Sequence, residues 1–238
     1  MSTDKSFRLN GENTFCISLH EAYGHSNERQ KRIWQRFDHF EMEVTMWWAA
    51  TPEDVVDKCA DYLSPGQRAC AQSHMNVWRH IVDNRLPYAL VLEDDACFDK
   101  RWHYHLDGFL VSHCFARPAS HASPSSLALP WDMLLLNCSD PVEPAGVWMA
   151  VREQYLTGAY LISLEGARKL VDMFGAGLFA ADWMTTRLQL RGRCYAFFPW
   201  LVIQEGLDTT IGSGVDADHA KVLKCLSDYD YGLDNYVI

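Results

Sequence analysis

Apolar and polar positions along this chain fall into blocks whose period switches between two and about 3.6 residues. Thr14 to Leu19 and Val44 to Ala49 are short β-type runs, separated by a charged amphipathic stretch from Ser26 to His39. Thr51-Pro52-Glu53-Asp54 reads as a helix start, with Thr at the cap, Pro at the first helical position and acids in the first turn. Ser64-Pro65-Gly66-Gln67 repeats the device as a capping box, and the helix it opens is expected to run to about Asn84. Tyr88-Ala89-Leu90-Val91-Leu92 is a continuous apolar run of the kind buried on both faces of a parallel sheet. Further on, a helix is expected from Trp102 to about Val111, strands over Trp131–Asn137, Tyr155–Ser163 and Arg193–Phe198, and helices over Glu165–Phe174 and Asp182–Leu190. In the second of these strands Gly158 permits close backbone approach. Strands alternating with helices predict an α/β fold, a mostly parallel sheet with helices on both faces. Residues 1–12 read as a loose leader, 112–130 as a long surface loop rich in Ser, Pro and Ala, and the tail from Gly206 as a weakly periodic segment wrapping the active face.

Composition narrows the classes. A length of 238 residues with 48% apolar residues suits one catalytic-size domain spanning 1–238. The net charge of −10 argues against nucleic acid as a partner, and an anionic ligand then needs a cation or a local cluster such as Arg29, Lys31 and Arg32. Eight cysteines without a C-x-x-C pair suggest neither a disulfide framework nor a zinc site, and point to reduced thiols in a cytoplasmic protein. The polar N-terminus and the lack of any apolar run near ~18 residues predict no signal peptide and no membrane span.

The apolar run 88–92 ends in Glu93-Asp94-Asp95. Three adjacent carboxylates repel one another, and a hard divalent ion, Mn²⁺ or Mg²⁺, relieves that repulsion through oxygen ligands while bridging to a substrate phosphate. Strand alternation puts Glu93 and Asp95 on one face and Asp94 on the other. In an open α/β sheet, the crevice beyond the carboxyl ends of the strands is where ligands bind.

The motifs in order resemble glycosyltransferase family 25. The resemblance rests on Phe15-Cys16-Ile17-Ser18-Leu19 with an Arg-bearing helix after it, then on Leu63-Ser64-Pro65-Gly66-Gln67-Arg68-Ala69-Cys70-Ala71-Gln72-Ser73-His74. It continues through Ala89-Leu90-Val91-Leu92-Glu93-Asp94-Asp95-Ala96, Trp131-Asp132, Gly158-Ala159-Tyr160, Asp182, Pro199 with Gln204, and Thr210-Ile211. Gln67 stands where the family usually has Glu, and Ala69 where it usually has Gly.

The resemblance implies a GT-A-like, Rossmann-like fold and inverting transfer of a sugar, usually galactose, from a UDP-sugar donor to a glycan or glycoprotein acceptor. It ranks Asp95 first as ligand to Mn²⁺ or Mg²⁺, with Glu93 beside it, and places Glu93 and Asp94 on ribose or sugar. The backbone of Ser18 and Leu19 would meet the nucleotide, Arg29 the diphosphate, His74 the nucleotide pocket, and Gln204 the metal or donor. Asp182 is the expected general base, with Glu205 in reserve. Plainer readings stand beside these: a first-turn helix Asp for Asp182, a hydrogen-bonded core histidine for His74, a solvated helix face for Arg29. A sugar-nucleotide-binding module without turnover and a metal-dependent phosphoesterase are the rival functions.

Overall fold

The computed structural model describes residues 7–20, 26–112, 129–206 and 215–238. Its main sheet has seven strands in the order β2-β1-β3-β7-β5-β8-β6. These are β1 (Thr14–Ser18), β2 (Thr45–Trp48), β3 (Tyr88–Glu93), β5 (Met133–Leu135), β6 (Met149–Ala150), β7 (Ala159–Ser163) and β8 (Cys194–Ala196). β1 pairs in parallel with β2 and β3, and β5 with β8, whereas β7 runs antiparallel between β3 and β5 and β6 runs antiparallel to β8. Strands β2, β1, β3, β5 and β8 therefore share one direction, which gives the mostly parallel GT-A-like sheet expected. A second, three-stranded antiparallel sheet joins β4 (Ala96–Asp99), β9 (Val202–Gln204) and β10 (Tyr236–Val237) in the order β10-β4-β9. None of these three short strands was expected, since each is too brief to show a period.

The helices are α1 (Ser26–His39), α2 (Pro65–Asp83), α3 (Trp102–Leu110), α4 (Leu164–Phe174), α5 (Ala181–Arg191) and α6 (Val215–Asp228). The two faces of β3 show how they are arranged. Ala89 and Val91 pack with Met75 and Trp78 of α2 and Leu170 of α4, while Leu90 and Leu92 pack with Ile33 and Phe37 of α1 and Trp102 of α3. Period-two alternation inside a run apolar at every position thus feeds two cores, one per face. α2 begins with the reciprocal cap its sequence predicts: Gln67 N–H donates to Ser64 Oγ at 3.3 Å and Ser64 N–H to Gln67 Oε1 at 2.9 Å.

Two expectations need correcting. The helix start at Thr51 yields only a single 3₁₀ turn, Pro52–Asp54. Asp54 does cap it by accepting from Thr51, but the chain is then captured by α2, with Gln72 Oε1 accepting the backbone N–H of Val56 and Asp57. Local start signals cannot propagate where a neighbouring helix takes the backbone donors. The tail carries α6 and β10: β10 pairs with β4 of the small sheet and Lys221 of α6 bonds Asp140, so these two elements lie away from the active face, while residues 207–214 fall outside the described residues. Most of the 112–130 loop and the Thr210-Ile211 motif lie outside the described residues.

Candidate active site

Because β1 and β3 are parallel with Ile17 opposite Glu93, their carboxyl ends finish side by side. The crevice beyond them is a cavity of about 510 Å³. Ser18, Leu19, Arg29, His74, Glu93, Asp94, Asp95, Asp182 and Gln204 all line it, delivered from the ends of two parallel strands, from three helices and from the small sheet. Glu205 does not. It is buried against Arg32 at 2.7 Å and Arg36 at 3.3 Å, so the reserve base is held in an ion pair behind β9. The basic cluster of α1 disperses likewise: Lys31 pairs with Glu28, Arg32 with Glu205, and Arg29 alone lines the cavity.

The three adjacent carboxylates occupy three environments, and the pleat explains only the first. Glu93, the last residue of β3, points to the α2 side as Ala89 and Val91 do. Its Oε1 accepts from Thr157 Oγ1 at 2.8 Å and meets His74 Nε2 at 3.2 Å. The strand then stops, and Asp94-Asp95 form the turn into β4. That turn defeats the expected Glu93–Asp95 pairing, and the Asp94 and Asp95 carboxylates share Arg29 instead. Its guanidinium lies 2.5 Å from Asp94 and 3.3 Å from Asp95. Ser18 Oγ donates to Asp94 at 2.6 Å, and Gln204 Nε2 donates to Asp95 at 3.3 Å. Gln204 is there because β9 pairs with β4, Ala96 opposite Gln204, with Glu205 N–H bonded to Asp95 O.

Electrostatics separate the acids further. Burial, reinforced by the charges of Glu93 and Asp94 and opposed by Arg29, pushes Asp95 up to about 7. Burial also raises Asp94, against the pull of Arg29. Glu93 goes the other way: burial acts to raise it, but the hydrogen bonds from His74 and Thr157 bring it below the usual carboxylate range. Asp95 Oδ1 is buried and accepts no hydrogen bond. An unbonded carboxylate oxygen with a raised pKa, beside two more acids, fits a divalent-ion ligand. Asp182, in the first turn of α5, accepts from the Trp183 N–H at 2.7 Å and is raised mainly by burial, with Glu93 adding to it.

His74 is buried and uses both ring nitrogens inside the protein, Nδ1 with Tyr160 Oη at 2.9 Å and Nε2 with Glu93. Trp78 Nε1 donates to the same Tyr160 oxygen at 2.9 Å. With that oxygen accepting from Trp78, the Tyr160 hydroxyl donates to Nδ1, leaving Nε2 to carry the proton that faces Glu93. His74 is thus a hydrogen-bonded core histidine that also lines the cavity, where it orients the Glu93 carboxylate. Thr157 and Tyr160 were not singled out from sequence, although Tyr160 lies in a quoted motif. Leu156 precedes Thr157 at φ 77°, a backbone state that costs a leucine about 1–3 kcal/mol and tends to mark functional sites. Cys70 is the other omission. It lies one helical turn before His74, and its Sγ, an imidazole nitrogen and a Glu93 oxygen are all within 4.8 Å of one another. The spacing C-x-x-x-H on one helix face was the available signal, and the absence of C-x-x-C pairs concealed it.

A family model described as "Glycosyltransferase family 25 (LPS biosynthesis protein)" matches residues 12–185, which holds every cavity residue named above except Gln204. The chain is 34% identical over 118 residues to procollagen galactosyltransferase 1-B of Xenopus laevis, covering 46% of this chain and 18% of that protein. It is 30% identical over 116 residues to the probable inactive glycosyltransferase 25 family member 3 of Bos taurus, with the same two coverages. It is 26% identical over 132 residues to the lacto-N-neotetraose biosynthesis glycosyltransferase LgtB of Neisseria meningitidis, covering 52% of this chain and 46% of LgtB. The chain thus spans less than half the length of these relatives. Among the described residues no helix is long and apolar enough to cross a membrane. With the family match covering most of its length and its motif residues gathered at one crevice, the chain belongs to glycosyltransferase family 25.

Proposed function

We infer that this chain is an inverting glycosyltransferase that moves a sugar, galactose first among the candidates, from a UDP donor to a hydroxyl of a glycan or glycoprotein acceptor. The observation that carries the reading is the unbonded, buried Asp95 Oδ1 at the strand-end cavity, with Glu93, Asp94 and Arg29 around it and Asp182 on a separate element. Asp95, with Glu93 near it, would hold Mn²⁺ or Mg²⁺, and the bound ion would supply Lewis-acid stabilisation to the leaving diphosphate. Arg29 provides a guanidinium for diphosphate oxygens once Asp94 and Asp95 have another counter-charge. Ser18 and Leu19 present backbone to the nucleotide, Asp94 and Gln204 face the donor, and His74 fixes the Glu93 carboxylate toward ribose. Asp182 accepts the acceptor hydroxyl's proton as that oxygen attacks the anomeric carbon, and the bond from that carbon to the diphosphate oxygen breaks with inversion. A carboxylate raised by burial suits the task, because its basicity moves toward working pH.

The test is UDP release from UDP-galactose with Mn²⁺ across a panel of glycan and glycopeptide acceptors. Asp95→Ala is expected to abolish it, and Asp182→Asn to lower kcat by about 10²–10⁴-fold while leaving UDP affinity unchanged. A second reading, a sugar-nucleotide-binding module, is favoured by one observation: a relative at 30% identity carries the name "probable inactive". Tight UDP binding without turnover on any acceptor would establish it, and phosphate release from simple esters would overturn both.

A further inference from the structure

Three chemically different donors converge where α2 faces the end of β3. Cys70 and His74 stand one turn apart on the helix and Glu93 reaches them from the strand, their ligand atoms mutually within 4.8 Å. The His74 Nε2–Glu93 Oε1 separation of 3.2 Å is roughly what two ligands keep on a tetrahedral ion with bonds of about 2.0–2.2 Å. Behind the imidazole, Tyr160 and Trp78 provide the outer hydrogen bonds that orient a metal-bound histidine. All three donors line the cavity, so a fourth coordination position opens onto it.

We propose that Cys70, His74 and Glu93 form a site for a borderline-soft divalent ion, Zn²⁺ in preference to Mg²⁺ or Mn²⁺, separate from the oxygen donors of Asp95. The donor set decides the preference: thiolate and imidazole suit Zn²⁺, whereas Mg²⁺ and Mn²⁺ favour carboxylate, carbonyl and water. Binding releases the Cys70 thiol proton to solvent and transfers the His74 proton from Nε2 to Nδ1, where the Tyr160 oxygen accepts it. The site shares Glu93 with the transferase reading but adds Cys70 and His74, which that reading does not use as ligands, and it rests on packed protein atoms and not on the donor.

The experiment titrates Co²⁺ into the untagged, reduced, EDTA-treated chain. The expected result is a 1:1 complex with a near-ultraviolet thiolate-to-cobalt band and the visible bands of tetrahedral cobalt, displaced by stoichiometric Zn²⁺, with about one proton released per ion. Cys70→Ser, with a side chain of similar shape, should lose the thiolate band while its circular dichroism stays native. Tyr160→Phe should weaken the ion about tenfold or more, and Cys59→Ala should keep the band. A wild-type chain with no thiolate band, or a band that persists in Cys70→Ser, overturns the proposal. Asp95→Ala should retain the cobalt spectrum whether or not UDP-galactose turnover is found, so the failure of one reading is not the failure of the other.

Discussion

At the scale of single residues, Asp95 sets function against stability. Its pKa of about 7 lies above the roughly 3.9 of an unfolded Asp, so between these values the folded state binds more protons than the unfolded one. Stability therefore falls as pH rises through that window, and the full penalty is present above pH 7. Asn at this position carries no charge at any pH. In EDTA, Asp95→Asn should match the parent's thermal stability near pH 4 and exceed it at pH 8 by at least about 1 kcal/mol, or 2–4 °C in Tm, while losing Mn²⁺-dependent activity. Equal melting curves at both pH values would show that Arg29 neutralises the carboxylate completely. Gly158 makes a steric point beside it: a Cβ there would come within 2.9 Å of Asn137 Oδ1 and Gln204 Cγ, so only Gly lets β9 bring Gln204 up to Asp95.

At the scale of elements, the helices around the cavity are held by contacts that permit few substitutions. The start of α4 is pressed onto β5: Ser163 N–H donates to Asp132 O, and a Cβ on Gly166 would meet that same oxygen at 2.2 Å. Backbone cannot yield as a side-chain tip can, so Gly166→Ala should cost about 3 kcal/mol, read as a drop of roughly 6–12 °C in Tm. Ser64→Ala removes one half of the α2 capping box and should cost about 1 kcal/mol. Because Gly66 and Gln67 line the cavity, the same variant should also raise the apparent KM for the donor. Elements of this kind were legible in the sequence. The capping box, the buried run 88–92 and the α1 amphipathicity were each decided by residues within a few positions of one another. What was not legible depends on pairing at a distance: β4 and β9 are β only because they meet across more than a hundred residues, and the turn at Asp94-Asp95 exists because the chain leaves one sheet for the other. The cavity's membership followed from strand order and motif, whereas the division of the acids among Arg29, His74, Thr157 and Gln204 followed from that turn.

At the scale of the whole molecule, the C-terminal segment braces the site from behind. β10 pairs with β4, Tyr236 opposite Asp99, and Lys100 N–H donates to Asn235 O. Tyr236 is buried and its hydroxyl donates to Trp200 O at 2.7 Å, while Tyr231 bonds to the Asp99 carboxylate. β4 begins directly after Asp95 and β9 ends at Gln204, so the small sheet is the rigid link between this tail and the acidic edge of the cavity. Tyr236→Phe leaves the ring in place but strips the Trp200 carbonyl of its donor, a loss of about 1–3 kcal/mol. Tyr236→Ala also empties the ring's space and should cost about 3–5 kcal/mol. If the tail served only global stability, the two variants would lose stability in that order and bind UDP equally well wherever both remain folded. A brace on the site predicts more: below its melting range, Tyr236→Ala should bind UDP more weakly in Mn²⁺ than Tyr236→Phe does. Hydrogen exchange should locate the cause, with the amides of Asp99 and Glu205, which donate to Leu201 O and Asp95 O across the small sheet, losing protection while those of β1 and β3 keep theirs. Protection lost evenly over both sheets would mean that the tail stabilises the fold and not the site.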